Sequence, residues 1–523
     1  MSKKEARIIV YHQVTSSGVS GSNHILTATF DKDHKVSIAV DAGLFMGGGE
    51  LEESSKLNLL PLTYRPEKLL AIFITHAHSD HEGMLPFLVR AGYNQPIYMS
   101  KGTATFLPIA LEDCCKCLNH DGQPIYSQDD VSTTLSLVKP VEEGVTFAVY
   151  NDSEGNNINA TIFGNGHLPG ASSILLQFNG RGKRSVNIFF SGDIKMHHPL
   201  FDVKPFPEWL KLMRISNIVI ESTYGNTASE KILDTFEENV SECARRGGTI
   251  LCPALSLDRT EIVLYKLRQM QERRRLSKKI PIYLVGKLAI KYLNVYDNNL
   301  CLNLTVKDFK PYSFSISSLA EVENKIEEGE QFIVLAAPGM GQLGASLELE
   351  EKLCGNKNNL IQYTSYVPEN GIASEFIKAE RYSTIALRNG QKVTINARIE
   401  QTLEFSQHAK CDELMNILEQ FPNKCSVTIN HGSPETKENF MNYLRYNRVT
   451  TSRKYEENGV VIINRERCLR VTPLGIDKML VSKLLPGKYE LKKAQEKYNK
   501  NKRKGKDTGK FKNKRKKRKS KDR

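Results

Sequence analysis

No run of eighteen or more apolar residues interrupts this sequence, so no membrane-spanning helix is expected. Nor does Met1-Ser2-Lys3-Lys4-Glu5 lead into the apolar core of a secretory signal. Neither terminus carries a myristoylation or prenylation pattern, which leaves a membrane anchor without a handle. Cysteine is sparse, ten in 523 residues, and scattered except for Cys114, Cys115 and Cys117. A dense disulfide framework is excluded, and reduced thiols in a cytosol-like compartment fit instead. His120 stands close to the trio, but no second ligand pair lies nearby. The apolar spacing of 106–118 is that of a helix, where cysteine usually fills core. The expectation is a soluble, cytoplasmic protein with no membrane partner and no internal repeat.

Charge is missing where the overall figure of +14 implies it. Residues 491–523 hold 18 Lys or Arg against 3 Asp or Glu, which leaves 55 against 56 in everything before them. The body is neutral and the end carries the excess. Around the run Lys514-Arg515-Lys516-Lys517-Arg518-Lys519 there is one aromatic, Phe511, and almost no apolar side chain able to support folding, so a disordered tail is expected. Contact with nucleic-acid phosphates is its most economical use, because counterion release needs only cations at density. A nuclear address, an anionic surface and a plain solubilising tail are the alternatives. Residues 484–498 have the makings of a helix leading into it.

What is present is concentrated in one loop. Thr75-His76-Ala77-His78-Ser79-Asp80-His81-Glu82-Gly83 sets three imidazoles and a carboxylate directly after the apolar strand expected at 69–74. Imidazole nitrogen and carboxylate oxygen suit zinc, with manganese or iron as poorer fits. Four such groups exceed what one open catalytic ion takes from a single loop, so two ions are implied.

The same device recurs along the chain. Strands expected at 36–40, 160–163, 186–190, 217–220 and 425–429 run into Asp41-Ala42-Gly43, Gly164-Asn165-Gly166-His167, Ser191-Gly192-Asp193, Glu221-Ser222-Thr223-Tyr224-Gly225 and Asn430-His431-Gly432. In layered α/β folds the carboxyl ends of strands converge on one edge, so six such ends imply one shared site. At 523 residues the chain also exceeds what one core usually serves. From about 206 to 388, strands at 249–252, 280–284 and 332–335 alternate with helical segments such as 258–275, the pattern of a parallel sheet wrapped by helices. A Gly-rich turn, Ala337-Pro338-Gly339-Met340-Gly341-Gln342-Leu343-Gly344, either cradles phosphate or simply turns the chain.

Taken in order, Asp41, the loop His76 to His81, His167 and Asp193 resemble the four successive motifs of the metallo-β-lactamase fold. Glu221 in Glu-Ser-Thr-Tyr-Gly, His408 in Phe405-Ser406-Gln407-His408-Ala409 and His431 in Asn-His-Gly resemble the three further motifs of its β-CASP branch of nucleases, which includes ribonuclease J and the cleavage-and-polyadenylation endonuclease family. The likeness spans about 41–432. It implies an α/β protein, a metallo-β-lactamase αββα sandwich built from 1–205 and 389–478, with an inserted β-CASP domain at 206–388 and a basic tail from 479 to 523.

The resemblance also implies roles. His76, His78 and His167 hold one Zn2+, and Asp80, His81 and His431 a second, with Asp193 bridging. Asp41 orients a ligand or the water. Asp80, Glu221 and His408 are the catalytic residues: His408 serves as general acid or phosphate ligand, and Glu221 bonds it and favours the imidazolium. Two ions lower the pKa of a water and stabilise the attacking and leaving oxygens of an in-line displacement at phosphorus. RNA is the implied substrate, since DNA-directed members tend to lack the last histidine, and a homodimer stays open, as does endonuclease against 5′-exonuclease action. The chain departs from the family pattern at Ala254-Leu255-Ser256-Leu257-Asp258-Arg259, where a Gly-Arg pair is usual and only Arg259 remains. With Asp41 so early, N-terminal RNA-binding domains like those of archaeal members are not expected, nor is a globular domain after about 477. A hydrolase of small esters or thioesters, a DNA-directed β-CASP nuclease and an idle RNA-binding scaffold are the competing readings. The first leaves the inserted domain, Glu221 and His408 without a use, and the last leaves seven intact ligand positions unexplained.

Overall fold

The computed structural model describes residues 8–447, apart from 15–17, 32–33, 47–56, 59–61, 121–124, 299–301, 342–343, 368–371, 387–389, 391 and 424–425, together with the strands Val460–Asn464 and Arg467–Val471. The basic segment 479–523 and the helix expected at 484–498 lie outside the described residues.

Two sheets face each other. The first has eight strands in the order Arg467–Val471, Val460–Asn464, Ile9–Val14, His24–Asp31, His34–Val40, Leu69–Phe73, Ile97–Ser100 and Val138–Val141. The second has six: Val427–Ile429, Asn217–Ile220, Val186–Phe190, Ser172–Asn179, Asn157–Gly164 and Phe147–Asn151. Alternation along the strands decides which side meets the partner sheet. Leu26, Ala28 and Phe30 point inward from one strand and Val36, Ile38 and Val40 from the next, where they pack on Ile158, Ile174, Leu176, Ile188 and Phe190 of the second sheet. Each such large side chain contributes about 1.5–3 kcal/mol by leaving water.

Helices close both outer faces. Leu85–Arg90, Lys101–His120 and Gln128–Ser136 place Leu85, Leu88, Leu107, Leu111 and Val131 on Ile72 and Ile97 of the first sheet. Cys411–Glu419 and Pro434–Tyr446 place Leu414, Ile417 and Phe440 on Leu175, Phe189, Ile218 and Ile220 of the second. The result is the expected αββα sandwich. Cys114 and Cys115 are buried in the first helical layer, Cys117 is exposed, and none of the three belongs to a metal-type cluster among the described residues.

The insertion leaves and rejoins the second sheet at neighbouring strands, because Asn217–Ile220 and Val427–Ile429 pair in parallel, Ile218 with Val427 and Ile220 with Ile429. Between them a six-stranded sheet forms in the order Phe314–Ile316, Ile282–Val285, Ile333–Ala336, Ile250–Pro253, Leu360–Tyr363 and Arg398–Gln401. All its pairings are parallel, and helices such as Arg259–Glu272 and Gly344–Leu353 cover its two faces.

Asn217–Ile220 belongs to the sandwich because Ile218 and Ile220 are buried against its helices, and Arg398–Gln401 belongs to the insertion because it extends that sheet beside Leu360–Tyr363. Among the described residues no helix is long and apolar enough to cross a membrane.

Candidate metal centre

The histidine loop is held from below by a carboxylate. Asp41 follows strand His34–Val40 with φ of 61°, a left-handed conformation that aspartate tolerates better than most residues. Its Oδ1 accepts from the backbone N–H of Thr75 (2.9 Å) and from Thr75 Oγ1 (3.0 Å), and its Oδ2 accepts from His81 Nδ1–H (2.8 Å). Two residues on, a Cβ on Gly43 would fall 1.6 Å from the carbonyl oxygen of Asp80. Only glycine lets the Asp-Ala-Gly turn pack against the loop this closely. After His78 the loop becomes a short helix, Ser79–Glu82, which turns Asp80 and His81 toward the opposite strand ends.

Three histidine nitrogens converge first. His76 Nε2 and His167 Nε2 each lie 3.1 Å from His78 Nδ1. Ligands about 2.0–2.1 Å from a tetrahedral zinc sit about 3.3 Å apart, so this spacing fits a shared metal. Beside them His81 Nε2 is 3.3 Å from His431 Nε2, and Asp80 Oδ2 is 3.4 Å from the same His431 atom. Asp193 reaches both trios: its Oδ2 is 3.7 Å from His76 Nε2, 3.8 Å from His167 Nε2 and 3.3 Å from His81 Nε2. Asp193 Oδ1, buried and without a hydrogen-bond partner, is the kind of atom that a cation satisfies.

The far ring nitrogens are committed elsewhere. His167 Nδ1–H donates to the carbonyl of Gln407 (3.0 Å). Thr75 Oγ1 donates to Asp41 and accepts from His76 Nδ1–H (3.1 Å). His431 Nδ1–H meets Thr223 Oγ1 at 3.0 Å, and that hydroxyl donates to Glu221 Oε2 (2.6 Å). Each bond fixes a tautomer that leaves the other nitrogen's lone pair facing the centre, the arrangement that metal-binding histidines need.

Burial pushes the imidazoles of His76, His78 and His167 down from their ordinary range, which keeps them neutral and able to donate a lone pair. His81 and His431 go the other way. Burial opposes their charge, but the carboxylate of Asp193, with Asp41 and Asp80 beside His81 and Asp80 beside His431, outweighs it. Asp193 falls well below the usual carboxylate range for the reciprocal reason: burial resists ionisation, and His431 and His81 overcome it. The field at this half of the site calls for positive charge, which a divalent ion supplies.

Glu221 leaves strand Asn217–Ile220 where the chain departs for the insertion, and His431 enters where it returns, held by Ser222 N–H donating to the His431 carbonyl (2.9 Å). His408 lies just before helix Cys411–Glu419, anchored by Ala409 N–H to the Ile194 carbonyl (2.7 Å). Its Nδ1 is 3.0 Å from Glu221 Oε2. His408 is the more exposed partner of the two.

Asp41, His76, His78, Asp80, His81, His167, Asp193, Glu221, His408 and His431 thus come to one place. Reading the sequence missed Thr223, which stands inside the Glu-Ser-Thr-Tyr-Gly motif, and Thr75, which precedes the first histidine. The Gly-rich turn serves packing: a Cβ on Gly339 would lie 2.3 Å from the backbone nitrogen of Leu255.

Comparison with known proteins agrees with this geometry. Residues 35–181 match the metallo-beta-lactamase superfamily, 260–375 the Beta-Casp domain and 392–462 the Zn-dependent metallo-hydrolase RNA specificity domain. The chain is 28% identical over 431 residues to Ribonuclease TTHA0252 of Thermus thermophilus, covering 80% of this chain and 91% of that protein. It is 26% identical to Transcription termination factor FttA of Methanocaldococcus jannaschii, covering 72% of this chain and 61% of the relative. Against Endoribonuclease YSH1 of Candida glabrata the identity is 26%, over 76% of this chain and 52% of the relative. The chain therefore spans nearly all of the first relative but only about half to three-fifths of the other two. With the sandwich, the inserted sheet and the paired ligand sets in place, the chain belongs to the β-CASP ribonuclease family of the metallo-β-lactamase fold.

Proposed function

We propose that this chain is a zinc-dependent ribonuclease that hydrolyses RNA phosphodiester bonds in RNA processing or decay. The observation that carries the reading is the His408–Glu221 pair, 3.0 Å apart and beside two ligand sets that share Asp193. His76, His78 and His167 would hold one zinc ion, Asp80, His81 and His431 the other, and Asp193 both. Bound there, two zinc ions supply a hydroxide nucleophile at neutral pH and stabilise charge on the phosphoryl oxygens.

The protein's own groups do the rest. Glu221 is itself fixed, since its Oε1 accepts from Ile194 N–H (2.7 Å) and its Oε2 from Thr223 Oγ1 (2.6 Å), so it holds the His408 ring in one orientation. With Nδ1 occupied, His408 Nε2 donates a proton to the departing ribose oxygen, a step typically worth ~10²–10⁴-fold. Thr223 ties this acid to the metal ligand His431, so the leaving-group side and the nucleophile side are set by one hydrogen-bonded chain.

A hydrolase of small esters has no use for a leaving-group acid mounted at the junction with an inserted domain. The test is cleavage of one RNA labelled at its 5′ end against a DNA of matched sequence, with zinc present. Cleavage of RNA alone supports the proposal, and the lengths of the labelled products tell internal from end-directed cutting. Turnover of a small ester without RNA cleavage would overturn it.

A further inference from the structure

Where helix Arg259–Glu272 ends, away from the sandwich, the inserted domain carries a cationic face that the chemistry above does not use. The stretch Arg273-Arg274-Arg275-Leu276-Ser277-Lys278-Lys279 holds five cations and no acid, although the chain before its basic tail is balanced at 55 against 56. All five cationic side chains are exposed. Arg273 Nη1 has a partner, Glu237 Oε1 at 3.2 Å. Arg274, Arg275, Lys278 and Lys279 form no side-chain ion pair or hydrogen bond among the described residues. The acids close by are already matched. Glu272 Oε1 accepts from Arg268 Nε (2.6 Å), Glu237 also lies 3.2 Å from Lys266 Nζ, and Asp297 Oδ2 accepts from Lys310 Nζ (2.6 Å).

The turn that presents these cations is fixed from beneath. Leu276 is 3% exposed within the core of the insertion, and Arg275 N–H donates to the Met270 carbonyl (2.8 Å). Buried Gln271 ties in the neighbouring loop: its Oε1 accepts from Tyr312 N–H (2.8 Å) and its Nε2 donates to Ser313 Oγ (3.0 Å). Tyr312 is thereby set among the cations, 50% exposed, with Lys278 Nζ 3.6 Å and Arg268 Cζ 3.7 Å from its ring centroid. Groups held in place beforehand lose little freedom on binding. Unpaired cations around an exposed aromatic suit a single-stranded nucleic acid, whose phosphates they neutralise and whose bases stack.

We propose that this face is a second RNA-binding surface, which holds the substrate strand at a distance from the bond being cut. The inference rests on the ribonuclease reading and adds to it where the rest of the strand runs. Like charge excludes the chain's own residues 491–523 as the occupant. The helix sets the reach. Just before its start, Asp258 Oδ1 meets His198 Nε2 of the sandwich at 3.1 Å, and its 14 residues then span about 21 Å to the cationic turn. A stacked strand advances about 3.4 Å per nucleotide, so roughly six nucleotides cross that gap. A shorter RNA occupies the metal centre without touching the face.

The test compares the full-length, zinc-loaded chain with a variant carrying Arg274→Gln, Arg275→Gln, Lys278→Gln and Lys279→Gln, on an RNA of about twenty nucleotides and one of four. The four side chains are exposed, so the melting temperature should not change. KM for the longer RNA should rise roughly tenfold or more, the loss of four exposed ion pairs together, with kcat within a few-fold. The slope of log affinity against log salt should fall by up to about three, at about 0.7 per phosphate of a single strand. KM or the inhibition constant of the four-nucleotide RNA should stay the same. Arg274→Lys with Arg275→Lys should keep most of the affinity. Should Lys278→Gln unsettle Tyr312, Arg274→Gln with Arg275→Gln carries the same expectation at about half the change in slope. Unchanged KM and salt slope on the longer RNA overturn the inference, and a shift of oligomeric state in that variant would then give the face to a second copy of the chain. An equal loss on both RNAs also overturns it, because the substitutions would be acting on the metal centre. A wild-type protein that cleaves no RNA would instead defeat the ribonuclease reading, while binding of the longer RNA, read by fluorescence anisotropy, still decides the face.

Discussion

Asp41 Oδ2 and His81 Nδ1 stand 2.8 Å apart, with both side chains 2% exposed, although forty positions separate them in the chain. The carboxylate must accept, so the proton sits on Nδ1 and Nε2 is presented to the metal position. Asp41→Asn offers an amide N–H to the same nitrogen and favours the wrong tautomer. Zinc affinity should fall by about 10- to 100-fold, as it does when such supporting groups are removed. Competition with a calibrated zinc chelator reads this directly, and an unchanged affinity would assign Asp41 to the fold alone.

His408→Ala should retain its zinc and lose ~10²–10⁴-fold in RNA cleavage. Thr223→Val removes the hydroxyl between Glu221 and His431 while keeping the side chain's shape. It should lower the rate by about tenfold, the worth of one or two ordinary hydrogen bonds, with little loss of metal. Rates under single-turnover conditions, with metal analysis of the same samples, separate these outcomes. Full activity in His408→Ala would leave the histidine a structural role.

The convergence of these histidines and carboxylates was legible because most of them follow strands, where residue type and the preceding apolar run are both visible in one dimension. Thr223 was not, since a threonine takes on meaning only from a group far along the chain, here His431, 208 positions away. Which sheet each short strand joins was not legible for a related reason. Asn217–Ile220 is as apolar as the strands that follow it, and only its pairing with Val427–Ile429 places it in the sandwich. Spacing along the chain does not encode which of two sheets a short buried strand joins.

Acid should destabilise the protein through a buried histidine outside the metal cluster. Burial pushes His12 down from 6.5 to about 3, so it stays neutral in the fold while its unfolded counterpart takes up a proton. The unfolded state binds more protons below pH 6.5, so stability falls from there toward pH 3. At pH 5.5 the loss from this group is on the order of 1 kcal/mol. Urea unfolding of chelator-treated protein at pH 7.5 and 5.5 should show a smaller difference in His12→Gln than in wild type. An equal difference would show that His12 does not carry the effect.

The charge imbalance predicts how RNA is gathered. Deleting residues 491–523 removes 18 cations and should flatten the salt dependence of RNA affinity while leaving the rate at saturating RNA nearly unchanged. Each phosphate neutralised on a single strand adds about 0.7 to the slope of log affinity against log salt, so engaging a third of the cations changes it by roughly four. Identical slopes for full-length and truncated protein would remove RNA from the list of partners of this segment.

The measurement that bears most directly on the whole account is a zinc titration of chelator-stripped protein, following bound metal and RNA cleavage in the same samples. Two ligand sets sharing Asp193 predict about two ions per chain at saturation, with cleavage rising as the second equivalent binds. Asp193→Ala should stay folded and inactive at every zinc concentration. Full cleavage with one equivalent bound, or an active Asp193→Ala protein, would contradict the shared two-ion centre.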